Sequence, residues 1–503
     1  MMNFVLSTPG WFLDSLPNGT FGDIFTSVHK CVGTFYEANP ATSVFLFFFM
    51  LYYVYYVKNV VKKPDLVCGG DKFRNFLLSN CPIIDQEYRP TLWCAQTHAQ
   101  TLMANGIRAV IPIPKYIREY VEVCPDIPPR KGSTTIPSEV CNTAKSATTT
   151  EPSSEVARPD LCDPPRAHVT IDWYDGPGQT FHIHAGDKYY SEVISDDNPS
   201  ARSRIQDDGR PIAILFPGLV GDSQTEYIRS LVPVAHMLGY KTCVFNNRSR
   251  GGTRLASPRL FCATNFDDVE TVLKRLKRDH SKSRIVGIGI SLGGIILCRY
   301  LATRGEKALV DAAMLVSVCF DFMEGCKSLE QPGLNSALNQ HLTRTLIRVV
   351  QENKEVLAPY YDIEQISNTK YLREFDSAFT RKMWGYEHVD DYHRDASNKD
   401  RLHLIRKPTL CVNAADDMFA PHSAPYFALP VEQIKNNPSM AMIITARGGH
   451  IGFMEGNIGL PTNFFLERLL GQYLDALNNV TDLTDIISPT SADVSSMMAV
   501  NDG

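Results

Sequence analysis

Three side chains of this sequence, Ser291, Asp417 and His450, are of the types that together make a hydroxyl nucleophilic. A serine hydroxyl is a weak nucleophile at neutral pH; it needs a base to take its proton and an acid to orient that base. Ser291 sits in Gly289-Ile290-Ser291-Leu292-Gly293, a G-x-S-x-G pattern. By composition alone such a pattern turns up in about one chain in six of this length, so its context has to carry the reading. An apolar run, residues 284–289, precedes it, a helical pattern follows to residue 304, and Gly305 closes that helix. Strand, strained turn and helix is the arrangement that lifts a serine hydroxyl clear of a sheet edge. Glycines beside the serine let strand and helix close on the turn, and the helix N-terminus favours developing negative charge.

The expected base is His450, in RGGHIGF (447–453), just beyond the apolar run 440–446. Its flanking glycines permit a tight loop. Between serine and histidine, the apolar run 407–414 ends in Ala415-Asp416-Asp417-Met418-Phe419-Ala420-Pro421. Either carboxylate could orient the base. Asp417 is preferred over Asp416, because the acid of comparable sites often stands four residues before a proline. Serine, then acid, then histidine, with the acid and the base on loops after late strands, is one of the chain orders in which this chemistry occurs. A tetrahedral intermediate also needs two N–H donors for its oxyanion. Those expected are the backbone groups of Leu292, beside the nucleophile, and Leu219, after Phe216-Pro217-Gly218. His182 and His184 share one face of a predicted strand, but no third ligand has metal spacing, so no metal and no cofactor is expected. His388 and His393 lie in a helical block and receive no role.

The elements that must position these residues alternate. Strands are expected at 211–216, 240–246, 284–289, 311–318, 407–414 and 440–446, with helices at 226–238 and 267–277 among them. That alternation implies a mostly parallel α/β sheet with flanking helices. Residues 168–174 and 179–185, either side of Asp175-Gly176-Pro177-Gly178, carry a β-hairpin signal. Residues 195–210 are polar and read as an exposed loop. Residues 321–398 are helical and charged, too long for one crossover. They read as a cap over the strand ends, where such sheets bind ligands.

The chain has 503 residues, 44% hydrophobic and 21% charged, with a net charge of −5. This is globular composition, and the lack of a basic block argues against nucleic acid as a partner. Thirteen cysteines without a C-x-x-C pair argue against a disulfide framework and a zinc site. Residues 41–57 are continuous and uncharged, and counting on to Val61 gives about 21 residues, enough to cross a bilayer. Tyr52, Tyr53, Tyr55 and Tyr56 suit one membrane interface. Lys58, Lys62 and Lys63 follow the run, whereas Asp14, Asp23 and Glu37 against Lys30 precede it. The positive-inside rule then puts the C-terminal part in the cytosol. The expected domains are an N-terminal segment (1–40), a transmembrane helix (41–61) and an extension wrapping the catalytic domain (62–123). A disordered Pro/Ser/Thr-rich insertion (124–166), the catalytic domain (167–477) and a disordered tail (478–503) follow.

Together PGLVGDSQTEYIRSL, VFNNRSRGG, GIGISLGG, VNAADDMFAP and GGHIGFMEG resemble the alpha/beta-hydrolase domain-containing family, members 1 and 3 type, also called the AB-hydrolase 4 family. KPDLVCGGDKFRNFLLSNCP and PTLWC, just after the apolar run, are similar to the same members. The resemblance covers roughly 63–473, apart from 124–166. It implies an α/β-hydrolase fold with a helical cap, and puts the family's nucleophile on Ser291, its acid on Asp417 and its base on His450. It implies a single-pass, membrane-anchored serine hydrolase of an endomembrane such as the endoplasmic reticulum. The implied activity is phospholipase action of A1/A2 type on glycerophospholipids such as phosphatidylcholine, with short or oxidised acyl chains favoured by member 3. Acyl transfer to an acceptor other than water is the alternative use of the same residues, and a catalytically silent scaffold is the third.

Overall fold

Unbroken runs of Val, Ile, Leu and Ala form strands covered on both faces. In the computed structural model, which describes residues 40–124, 167–177, 192–194, 199–423, 426–456 and 464–487, these strands build one sheet. In chain order they are β1 (Asp65–Cys68), β2 (Tyr116–Val123), β3 (Ala167–Tyr174), β4 (Glu192–Val193), β5 (Ile212–Phe216), β6 (Lys241–Asn246), β7 (Ile285–Ile290), β8 (Ala312–Val316) and β9 (Thr409–Ala414). A separate small hairpin, β10 (His422–Ser423) and β11 (Tyr426–Phe427), precedes the last strand, β12 (Met440–Thr445). The sheet order is β1-β12-β9-β8-β7-β5-β6-β3-β2-β4. The six strands from β12 to β6 are parallel, while β1, β2 and β3 add antiparallel pairs at the two sides.

The chain runs outward from β5 to β6, returns to β7 and then continues the other way. The crevice at such a reversal, outside the strands' carboxyl ends, is where open α/β sheets bind ligands. Among the described residues the α-helices of eight or more residues are α1 (Pro40–Tyr55), α2 (Asp71–Asn80), α3 (Thr97–Arg108), α4 (Glu226–Met237), α5 (Asp267–Asp279), α6 (Leu292–Arg304), α7 (Phe322–Leu329), α8 (Leu334–Glu352), α9 (Val389–Ala396) and α10 (Phe465–Asn478). Alternate residues of β5 go to opposite faces: Ile212, Ile214 and Phe216 join α5 and α6, whereas Ala213 and Leu215 join α2, α4 and α10. Between Phe322 and Ala396 the chain is helical and has an apolar core of its own, with Leu346, Val350, Ile366, Phe375 and Phe379.

The chain divides into two units, Met1–Val61 and Lys62–Gly503. In the first, α1 continues as a π-helical turn, Tyr56–Val60. The helix Ala41–Val60 is long and apolar enough to cross a membrane, and its apolar side chains from Val44 to Tyr55 are exposed rather than packed as in a core helix.

Four local expectations need correction. Residues 62–123 do more than wrap the catalytic domain: β1 and β2 are strands of the same sheet. The strand at 167–174 does not make the expected hairpin, because β2 and β6 occupy its two edges. The other predicted arm, 179–185 with His182 and His184, lies outside the described residues. The polar segment 195–210 contains a helix, Pro199–Arg204, whose Ala201 is buried. The expected tail contributes Leu483 and Ile486 to the core, and Arg284 bonds the carbonyls of Leu477, Val480 and Thr481. Residues 1–39, 125–166 and 488–503, which hold the N-terminal segment, the insertion and the rest of the tail, lie outside the described residues.

Candidate active site

Ser291 follows β7 and caps α6 with φ 52° and ψ −118°. A non-glycine residue reaches such backbone angles only when its surroundings impose them. They are imposed by close packing. A Cβ on Gly293 would lie 2.1 Å from the Phe216 carbonyl oxygen, and one on Gly289 would lie 2.6 Å from Gly294 Cα. Strand and helix therefore meet backbone to backbone around the serine. The same holds on the β5 side, where a Cβ on Gly218 would lie 3.1 Å from Ser291 Cβ.

His450 Nε2 stands 2.9 Å from Ser291 Oγ, and His450 Nδ1 stands 2.9 and 3.1 Å from the two Asp417 oxygens. Asp417 is fully buried and also accepts from the Phe419 N–H at 2.8 Å. With Nδ1–H donating to Asp417, Nε2 is left to accept the Ser291 proton. The Phe419 ring lies 4.2 Å from the imidazole, centroid to centroid. Residues 159 positions apart in sequence thus form one chain of hydrogen bonds at the strands' carboxyl ends.

Asp416, the other candidate acid, faces away from the imidazole. Its carboxylate accepts from the Thr97 hydroxyl and, at 3.0 Å, from the Gly449 N–H. Burial pushes this carboxyl above its ordinary range, against the lowering effect of those two bonds. Asp416 therefore holds the loop that carries His450.

The remaining supports come from residues to which sequence reasoning gave no role. The Thr101 hydroxyl accepts from the His450 N–H at 2.9 Å, and Gln100 Oε1 accepts from the Met454 N–H at 2.9 Å. Fully buried Arg108 donates to the Ile451 carbonyl at 2.7 Å and pairs with Glu467. All three lie on α3, in the segment before β2. From the other side the Ser317 hydroxyl accepts from the Ile451 N–H at 3.1 Å. The inner face of α3 (positions 97, 100, 101, 104 and 108) is mostly polar, so hydrophobic spacing in the sequence does not mark it.

Leu292 is the first residue of α6, so its N–H has no intrahelical acceptor. Leu219 follows the end of β5 and precedes Val220, at φ 59°. Both leucines line one cavity, which continues under the cap between Leu260, Phe322, Leu346, Phe375, Phe379 and Met383. Of the cap histidines, His388 is exposed and His393 is buried against Asp376 at 2.9 Å. Among the described residues the cysteines are free, and no cluster of His, Cys, Asp and Glu is placed to hold a metal.

Residues 211–457 match the family described as having the alpha/beta hydrolase fold. Human phospholipase ABHD3 is 31% identical over 89% of this chain and 93% of its own length. Protein abhd-3.2 of Caenorhabditis elegans is 25% identical over 84% and 94%, and the monoacylglycerol lipase of Saccharomyces cerevisiae is 27% identical over 54% and 59%.

Proposed function

As a member of the α/β-hydrolase family that includes phospholipase ABHD3, this chain is a carboxylic ester hydrolase, and we propose that it is a membrane-anchored serine hydrolase acting on glycerophospholipids. The observation that carries this reading is the bonded row Ser291–His450–Asp417, whose serine is followed by Leu292 in the lining of an apolar cavity. Ser291 Oγ attacks the ester carbonyl while His450 Nε2 takes its proton, and Asp417 stabilises the imidazolium. The Leu219 and Leu292 N–H groups receive the developing oxyanion. His450 then gives its proton to the leaving lysophospholipid oxygen, and an acyl-enzyme remains. Water, deprotonated by His450, attacks that ester; the fatty acid leaves and Ser291 recovers its proton.

The apolar cavity between Leu219, Leu292 and the cap fits the acyl chain. Phosphatidylcholine cleaved at either acyl position, A1/A2 type, is the proposed substrate class. The helix Ala41–Val60 is read as the single membrane span, with the catalytic unit on the cytosolic side by the lysines that follow it. An endomembrane is the proposed site.

The direct test is labelling by an active-site phosphonate probe. The wild-type chain takes the label and Ser291→Ala does not; persistent labelling of the variant would sink the reading. Incubation with a phosphatidylcholine labelled in its acyl chains then separates hydrolysis from transfer, since free fatty acid means water is the acceptor and a new ester means it is not.

A further inference from the structure

The helix α3 has two unlike faces. Its inner face, with Gln100, Thr101, Ala104 and Arg108, grips the loop that carries His450. Its outer face presents Leu102, Met103 and, just past the helix end, Val110, which are 66, 41 and 77% exposed. Between Thr91 and Pro114 the only residue with a fixed charge is Arg108, and it is fully buried. A stretch of surface chain this long without an exposed charge contrasts with α5 of the same fold. That helix turns Lys274, Arg275 and Arg278 to water.

Across from α3, the cap helix α8 begins with Leu334, 61% exposed. The two elements are joined where His98 Nε2 meets Asn335 Oδ1 at 2.7 Å. Exposed apolar side chains thus stand on both sides of this junction. The stretch offers Leu102, Met103 and Val110, with Trp93 46% exposed just before the helix, and no exposed charge; in a chain that also carries a membrane-length apolar helix, a lipid interface is the surface that takes these up.

We propose that α3 seats the catalytic unit on the bilayer, with Leu102, Met103 and Val110 entering the lipid interface. The helix that touches lipid on one side then holds the His450 loop on the other. This rests on the phospholipid reading and on Ala41–Val60 as a span. Because the catalytic unit starts at Lys62, directly after that span, it is kept at the membrane surface by its own chain.

The test uses the full chain reconstituted in phosphatidylcholine vesicles. In a chain with Cys31, Cys124, Cys141 and Cys162 replaced by serine, an environment-sensitive fluorophore is attached at Met103→Cys. A second preparation carries it at Lys274→Cys on α5. Brominated acyl chains in the vesicle should quench the first and not the second. In parallel, the double variant L102E/V110E should hydrolyse vesicle phosphatidylcholine about tenfold more slowly, with unchanged turnover of water-soluble p-nitrophenyl butyrate.

An unquenched fluorophore at 103 overturns the proposal, including the case in which another protein shields it. Unchanged vesicle turnover in the double variant overturns it as well. Should the double variant lose the soluble ester too, the quenching measurement decides. Quenching in the labelled Met103→Cys chain, with phosphatidylcholine left intact by the wild-type chain, would refute the phospholipid reading and leave the bilayer seat standing.

Discussion

Ser291, His450 and Asp417 are joined by bonds short enough for proton transfer, and each residue has a distinct consequence when removed. Asp417→Asn keeps the shape but favours the wrong imidazole tautomer, so kcat on a soluble ester should fall by about 10⁴ with little change in KM. Asp416→Asn is expected to behave differently. It keeps an acceptor for the Gly449 N–H, so activity should stay within about threefold of wild type. Its effect lies in stability. Burial raises the Asp416 carboxyl, so its protonated form favours the fold. That contribution is complete below the unfolded pKa and is lost as pH rises through the raised folded value. Asp416→Asn should therefore match wild type at acidic pH and gain on it as pH rises across that window. Urea denaturation at a series of pH values measures the gap; a gap that shrinks with pH would contradict the assignment. In the sequence the two aspartates are neighbours of one type; the spacing to Pro421 and the family resemblance favour Asp417, and the side-chain bonds give each its own partner.

At the scale of elements, the serine turn was readable because everything it needs is local. The apolar strand, the glycines and the helix that follows are consecutive, and the close packing found at Gly289 and Gly293 is what G-x-S-x-G encodes. Gly293→Ala should consequently fail as a fold, because the Phe216 carbonyl in its way is backbone and cannot move aside as a side chain would; soluble yield and thermal unfolding check this. The histidine loop is different. Its grip comes from α3, some 350 residues earlier in the chain. Thr101→Val keeps the shape but removes the acceptor of the His450 N–H, which should lower kcat about tenfold with KM nearly unchanged. A wild-type kcat in that variant would show that the bond does not position the base. Hydrophobic periodicity could not reveal the inner face of α3, because that face is mostly polar while the large apolar residues Leu102 and Met103 are exposed.

For the whole molecule, β1, β2 and α3 make the segment before residue 124 part of the catalytic unit. A chain starting at residue 167 loses β1 and β2 and bares the edges of β12 and β3, so it should be insoluble, whereas Lys62–Gly503 should unfold in one cooperative step. Circular dichroism of the two truncations decides between this and an independent core. What the sequence by itself determined was the set of local features: alternating buried strands and helices, the serine turn, the acid and histidine placed after late strands, and an apolar helix at 41–60. Each is written in consecutive residues, where steric and hydrophobic patterns act over a few positions. What only the tertiary structure decided was which distant residues meet: β2 and β6 beside β3, Asp416 bonded to Thr97 and Gly449, α3 under the His450 loop, and Leu483 and Ile486 in the core. Those pairings depend on the surface that the rest of the chain offers, and a side chain's local pattern holds no record of it.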